Sequence, residues 1–365
     1  MRRPGKATGK MKHRKNTAMV DMNLRDRYSR QTIFPGIGEE GQARLLSSSV
    51  VIIGCGALGS NIATLLVRAG VGKIKIIDRD FIEYHNLHRQ VLFDEDDIKA
   101  RLPKAIAAER HLRKVNSTIE IEGIAADVNY TNIEGFCRGA DVILDGLDNL
   151  ETRFLINDVA LKHKIPWVYG GAVASTGMTM NIIPDATPCF RCIYPVLPGP
   201  GTTRTCETAG VVGTAPAVIG SLQATEALKI LIGSEDVNRT LIIVDVWKVA
   251  LDRVNIKHRK DCPACQGKYE YLEGRFVMKT TSLCGQSRAV QVVNTKVSKI
   301  ALGELAARLR LQKVSGVSQN EFMLNFTVDD KELFAFPDGR AIIKNTTDES
   351  LAKELYTRYI GELTR

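Results

Sequence analysis

Short β-branched runs alternate along this chain with longer segments in which apolar residues recur at helical spacing. Val50-Val51-Ile52-Ile53 has no polar position at all, the pattern of a strand buried on both faces. Gly54-Cys55-Gly56-Ala57-Leu58-Gly59 follows, then an alanine- and leucine-rich helix to about Arg68, glycines at 70 and 72, and a second strand, Ile74 to Ile77, ending in Asp78. Upstream, Glu39 to Leu46 predicts a helix. Downstream the alternation predicts helices near Lys104 to Lys114, Asn132 to Cys137 and Leu150 to His163, with strands near Ile119 to Ile121, Val142 to Leu144 and Trp167 to Tyr169.

The pattern then becomes less regular. Met178 to Ile183 reads as a strand, residues 195–210 as an irregular loop, and Gly213 to Ile232 as a long apolar helix. Leu241 to Val246 and Val249 to Ile256 read as an antiparallel pair delivering Cys262. Beyond about residue 270 the apolar runs shorten, with Ser298 to Leu311 as a helix, Glu321 to Val328 as a strand, Phe336-Pro337-Asp338-Gly339 as a turn and Leu351 to Tyr359 as a final helix. The expectation is an α/β fold, a Rossmann-like doubly wound and mostly parallel sheet. It is followed by an antiparallel extension and a small C-terminal α+β appendage. The domain reading is a basic tail over 1–22, the α/β domain over 23–268 and the appendage over 269–365. A chain of 365 residues with 44% hydrophobic content is long enough for about two domains.

The net charge of +9 changes this picture little. Arg2, Arg3, Lys6, Lys10, Lys12, Arg14 and Lys15 stand in a stretch without acids, and setting those seven aside leaves about +2. The tail reads as solvated and disordered, with no specific nucleic-acid partner. Met19 and Met22 are alternative starts. No run approaches the roughly 18 apolar residues of a membrane span and no apolar signal region opens the chain, which predicts a reducing cytoplasm and no membrane partner.

Two Cys-x-x-Cys pairs, Cys189/Cys192 and Cys262/Cys265, offer the four soft ligands that tetrahedral zinc prefers, with 69 residues between them. Closing so long a loop costs entropy that a metal offsets. Unrelated turns, a redox dithiol and plain disulfides are the competing readings; Pro188 and Pro263 favour turns over helix starts. Cys206 lies in the glycine- and threonine-rich Gly199 to Glu207, with Arg204 nearby to favour a thiolate. It is a candidate nucleophile, against an incidental loop thiol. Cys55 and Cys137 read as packed, and Cys284 as a weaker candidate for sulfur handling.

Glycines 54, 56 and 59 between a strand and a helix permit a tight turn, close approach to a ligand and helix-on-strand packing, and Asp78 is placed to accept ribose hydroxyls. Alone this is a dinucleotide fingerprint, so a nicotinamide-dependent oxidoreductase is a rival. Asn86-Leu87-His88-Arg89-Gln90, Lys104 and Asp148-Asn149 add cations, a carboxylate and amides near one sheet edge. Hydride transfer needs no such set. Attack by a carboxylate on an α-phosphate does, because charge builds on the phosphoryl oxygens and the departing pyrophosphate. No Gly-x-x-x-x-Gly-Lys-Ser/Thr loop is present.

Together with Arg27-Tyr28-Ser29-Arg30-Gln31, Asp78-Arg79-Asp80, Pro103-Lys104, Pro188-Cys189-Phe190-Arg191-Cys192 and Gly220 to Ala227, these motifs resemble the ThiF/MoeB/HesA group of ubiquitin-activating-like adenylyltransferases over roughly Leu24 to Cys265. The resemblance implies ATP-dependent adenylylation of the C-terminal glycine of a ubiquitin-like sulfur carrier of ThiS or MoaD type, in thiamine or molybdopterin synthesis. It implies that Gly54, Gly56, Ala57, Gly59 and Asp78 bind the nucleotide, that Asn86, Arg89 and Lys104 contact the phosphates, and that Asp148, beside Asn149, supports magnesium and the adenylation step. Arg30 would reach the active site of a second subunit, making a homodimer, and the four paired cysteines would form a structural zinc site. Cys206 would attack the acyl-adenylate or take part in persulfide or acyl-disulfide chemistry, with a cysteine desulfurase or rhodanese as sulfur donor. Ala57 departs from the third glycine of many relatives but stays small. The appendage resembles the C-terminal extension of some relatives and lacks a clear rhodanese-type loop; carrier docking is one role considered for it. A noncatalytic ubiquitin-fold binding module is a further alternative.

Overall fold

The computed structural model describes residues 25–198, 205–276, 280–283, 289–293 and 300–361. The basic tail, Arg204 and Cys284 lie outside them. Eight strands form the first sheet: β1 Ser49–Ile53, β2 Lys73–Asp78, β3 Glu120–Ala125, β4 Val142–Asp145, β5 Trp167–Val173, β6 Thr176–Ile182, β7 Leu241–Asp245 and β8 Ala250–Val254. Their order is β3-β2-β1-β4-β5-β6-β7-β8. The first five are parallel, and from β5 onward each pairing is antiparallel.

Besides the helical residues 25–32, the helices described in this half are α1 Gly38–Ser47, α2 Ala57–Ala69, α3 Glu95–Lys99, α4 Lys104–Val115, α5 Ile133–Cys137, α6 Leu150–His163, α7 Phe190–Ile193, α8 Cys206–Ala209 and α9 Thr214–Ile232. They explain the apolar run in β1. Val50 and Ile52 face a core built with α2, α4 and α9, while Val51 and Ile53 face a second core with α6 and α7. Val50 to Ile53 therefore all need to be apolar. Strand order reverses between β1 and β4, and a ligand crevice in an open α/β sheet opens at the carboxyl ends of the strands at such a point. By length and composition α9 could cross a membrane. Here it packs on α2 and the sheet, with Gln223 and Glu226 buried.

The expected elements are present with ends moved by a few residues, and Leu150 to His163 is helical over the span read from the sequence. Cys206 stands at the start of the single helical turn α8, where an irregular loop was expected; Thr205 caps it by accepting from Thr208 N. The larger difference is the C-terminal half. One strand was expected, and the described residues form a six-stranded antiparallel sheet. Its strands are β9 Thr280–Leu283, β10 Ala289–Val293, β11 Ser315–Gln319, β12 Leu324–Val328, β13 Lys331–Ala335 and β14 Arg340–Lys344, with α10 Leu302–Leu311 and α11 Glu349–Tyr359. Charges hide β13 and β14: Leu333 and Ala335, then Ala341 and Ile343, point into the core, but Lys331 and Glu332 open the first strand and Arg340 and Lys344 bound the second.

Residues after the second cysteine pair return to the first half, where Tyr271 and Leu272 join the α6 core. Asp158 of α6 anchors them, Oδ2 accepting from Tyr271 N at 2.9 Å and Leu272 N at 3.3 Å. Burial pushes its carboxyl up to about 6, against those donors and Arg191. The folded chain therefore binds this proton more tightly than the unfolded one. Stability from this group is gained as pH falls through about 6 and is complete near 4, about 3 kcal/mol in all. Urea denaturation across that window is expected to show a flatter pH dependence for Asp158→Asn than for the parent; equal slopes would refute the assignment.

Candidate active site

The site is built first from backbone. A Cβ at Gly59 would lie 2.0 Å from the Gly54 oxygen, and a Cβ at Gly146 would lie 2.1 Å from the same atom. Gly54 itself has φ +90°. The end of β1, the start of α2 and the loop after β4 thus touch through main chain alone, and no larger residue fits at 59 or 146. Gly56 is different. A Cβ there would meet nothing nearer than Gln90 Nε2 at 3.6 Å, so the space over Gly56 is left by the fold rather than filled by it. Gln90 is buried beside it with Oε1 unpartnered. An open cradle next to an orphaned amide fits a nucleotide phosphate region. Gly146 escaped the sequence reading; its signal was a glycine directly after the strand Val142–Asp145.

Charged groups gather at the same carboxyl edge. Asp78 closes β2, its Oδ2 accepting from Cys55 N at 2.6 Å and its Oδ1 from Asp80 N at 2.7 Å. Burial raises its pKa, with Lys104 pulling the other way. Lys104, 6% exposed, pairs with Asp80 Oδ2 at 3.1 Å. Burial acts to raise Asp80, but Lys104 and then Arg79 prevail and hold it at about 2. Arg79 in turn pairs with Asp127 at 2.9 Å. Asp148 is exposed, and its charge acts on Arg79, Lys104 and Arg153. The predicted Lys104, Asp78 and Asp148 are thus brought to one place, together with Arg79 and Asp80, which had been read only as parts of a motif.

The remaining predicted contacts are arranged by the crossover from β2 to α4. Asn86 is buried and its Oδ1 accepts from Glu83 N at 3.0 Å, leaving the amide NH₂ as the group open to a ligand. Arg89 Nη1 donates to His85 O at 2.6 Å. Gly213, at the start of α9, packs on His88 and Arg89, where a Cβ would sit 2.9 Å from His88 O. Asn149 is a helix cap, its Oδ1 accepting from Thr152 N at 3.0 Å. Below the edge, Arg153 donates to Asp145 Oδ2 at 2.9 Å and to Gly170 O at 2.7 Å, and Gln223 donates to Asp145 O at 2.9 Å. These two buried residues hold the ends of β4 and β5.

Cys206 and Arg30 lie in opposite directions. Cys206 Sγ donates to Ala172 O at 3.3 Å, at the carboxyl end of β5, two strands from β1 and so roughly 10 Å across the sheet. Arg30 is exposed on the helical residues 25–32, which dock at the far end of α2: Gln31 Nε2 donates to Ala69 O at 2.8 Å, and Asn116 Nδ2 to Tyr28 Oη at 2.9 Å. The glycine loop is at the other end of that 13-residue helix, about 20 Å away. Arg30 cannot reach its own chain's glycine loop.

The four paired cysteines meet. Cys189 Sγ lies 3.8, 3.5 and 3.4 Å from the sulfurs of Cys192, Cys262 and Cys265, and Cys192 Sγ lies 3.7 Å from Cys265 Sγ. Disulfide sulfurs stand about 2.05 Å apart. A tetrahedron of thiolates around zinc, with Zn–S near 2.3 Å, has edges of about 3.8 Å. The donor set and its spacing fit zinc. Asp94, Asp97 and His111 also cluster, but both carboxylates cap α3.

Three comparisons bear on this geometry. Residues 28–264 match the ThiF family. The sulfur carrier protein ThiS adenylyltransferase of Bacillus subtilis is 42% identical over 92% of this chain and 99% of its own length. The SAMP-activating enzyme E1 of Haloferax volcanii is 39% identical over 68% of this chain and 92% of its own. Among solved structures, E. coli MccB with succinimide is 25% identical with a TM-score of 0.58, covering 66% of this chain and 74% of that one.

Protein purified without chelator is expected to carry about one zinc per chain by elemental analysis; less than about half an atom would contradict the four-thiolate site. Cys262→Ser should shed the metal and lower the Tm by roughly 5–10 °C.

Proposed function

The chain belongs to the ThiF family, and from that premise we propose that it uses ATP to adenylylate the C-terminal glycine of a ubiquitin-like sulfur carrier. The observation that carries the reading is the gathering of Lys104, Arg79, Asp80 and Asp148 beside an open glycine cradle at one sheet edge. The rival dinucleotide reading gives that set no work to do. Similarity to the Bacillus protein over nearly the whole chain favours a ThiS-type carrier over a MoaD-type one.

In the reaction a carrier carboxylate oxygen attacks the α-phosphorus. The C–O–P bond forms, the bond from the α-phosphorus to the bridging oxygen breaks, and pyrophosphate leaves with the electron pair. Asp78 accepts the ribose hydroxyls on lone pairs its backbone donors leave free. Lys104, Arg89 and the Asn86 amide face the phosphates and oppose the charge that builds there. Asp148 would hold magnesium, which when bound neutralises triphosphate charge. Cys206 then attacks the acyl carbonyl as thiolate, breaking the acyl–phosphate bond and releasing AMP, so that sulfur from a desulfurase or rhodanese donor can follow. A reducing cytoplasm keeps that thiol available.

A second copy of the chain supplies Arg30. Ile33 and Phe34 beside it are 68% and 61% exposed, an apolar surface suited to a homodimer interface.

Carrier-dependent exchange of labelled pyrophosphate into ATP is the direct assay. Asp148→Ala is expected to lower exchange by about 100-fold or more, while Cys206→Ala keeps exchange within about twofold and loses transfer. Equal loss in both variants, or no exchange with any carrier, would sink the assignment. Arg30→Ala and Asp148→Ala proteins, each inactive, should on unfolding and refolding together recover about one quarter of the wild-type sites, since half the dimers hold one intact composite site. No recovery would mean that Arg30 does not act across subunits.

A further inference from the structure

The C-terminal sheet has two unlike faces. One carries the core side chains against α10 and α11. On the other, register brings four polar residues together: Gln291 pairs with Ile342, Arg340 and Lys344 flank Ile342 on the same face of β14, and Asn325 pairs with Phe334, itself paired with Ile342. This second face lies on the crossover between β2 and α4 and on the end of β3.

Each contact stops one step short of a nucleotide residue. Lys344 Nζ pairs with Glu83 Oε1 at 2.6 Å, and Glu83 N donates to Asn86 Oδ1. The Phe336 and Phe81 rings stack at 5.6 Å, Phe81 bridges to Pro103, and Lys104 N donates to Asp80 O at 2.9 Å. Gln291 Nε2 reaches Asp127 Oδ2 at 3.5 Å, the carboxylate that holds Arg79. Arg101, whose φ of +50° is costly for a side-chain-bearing residue, is gripped by Asn325 at 2.5 Å and by Asn320 at 3.2 Å, three positions before Lys104. Arg340, 2% exposed, pairs with Asp338 Oδ2 at 2.7 Å and lies over the Phe336 ring at 4.6 Å, so it sets the ring that meets Phe81. Surface docking for its own sake would not concentrate buried polar groups, Gln291 and Arg340, at this one face.

We propose that the C-terminal sheet is a brace for the nucleotide site, in which Lys344 and Arg340 are positioning residues that hold the crossover so that Asn86 and Lys104 meet the phosphates of ATP. The inference rests on the adenylylation reading. It separates the two substrates: the brace acts on ATP affinity, and the carrier's KM is independent of it.

Lys344, at the edge of the contact with a quarter of its side chain exposed, can be changed with less risk to folding than buried Arg340. In full-length protein, titration calorimetry with magnesium-ATP is expected to show Lys344→Ala binding roughly fivefold more weakly. The carrier's KM in pyrophosphate exchange should stay unchanged, and Lys344→Arg should restore ATP affinity. Glu83→Gln should weaken ATP similarly, and the double variant should be no weaker than either single one. An unchanged ATP Kd in Lys344→Ala and Glu83→Gln would overturn the brace, and so would a shift in carrier KM alone, which would make this face a carrier dock. Absence of ATP binding by the parent protein would overturn the adenylylation reading itself.

Discussion

The Gly54 carbonyl oxygen is the atom on which the site's geometry turns. Two stretches of chain nearly ninety residues apart in sequence approach it so closely that neither can carry a Cβ at the contact. Without that contact β1 and β4 would still pair, since their register is set by the ladder from Val50/Val142 to Ile53/Asp145. The loops beyond them, however, would not be held at a fixed distance. With it, Asp148 rides on a loop seated against the glycine turn, and α2 begins where its N-terminal N–H groups face the open ground over Gly56. Arg153 and Gln223 finish the construction from below by tying the ends of β4 and β5 to each other and to α9.

On this frame, two carboxylates only two residues apart come under opposite electrostatic control. Asp78 is raised by burial and spends part of its accepting capacity on backbone N–H groups, which fixes its direction. Asp80 is half exposed and is held down by two cations, so it is the stronger counterion. Lys104 is extended toward Asp80 rather than toward Asp78. Lys104 is therefore already desolvated and aligned, and an anion brought to it would have to compete with Asp80.

What could be read from the sequence was what is local. The β1–α2–β2 unit, Asp78 and the spacing of each cysteine pair are set within a few tens of residues, and α6 was bounded correctly because Asn149 caps its start and Lys164 leaves it in the left-handed region. That the two cysteine pairs converge needed the structure, although their ligand chemistry announced it. Gly146 and Arg153 were not legible as functional, because each acquires its meaning from a neighbour brought by sheet order, not by sequence distance. The C-terminal strands were missed for a different reason: their period-2 pattern is present, but the second face alternates Arg340 and Lys344 with apolar Ile342, and its charges are paired rather than solvated, Lys344 with Glu83 of the first half and Arg340 with Asp338 over the Phe336 ring.

The parts of the site thus differ in what holds them. The glycine turn, Asp78 and the loop of Asp148 are fixed by close main-chain approach and buried hydrogen bonds, which leave little room to move. Asn86, Arg89 and Lys104 sit on a long crossover that is closed at its two ends by the Phe81–Pro103 bridge and is otherwise largely local turns, and it gains definition from outside, through α9 at Gly213 and the C-terminal sheet at Glu83, Phe81 and Arg101. Arg30 is fixed to the far edge of the sheet and can serve such a site only through another copy. Phosphate chemistry needs cations placed within fractions of an ångström. In this chain the residues that meet that demand least on their own are the ones that other elements of the fold come to steady.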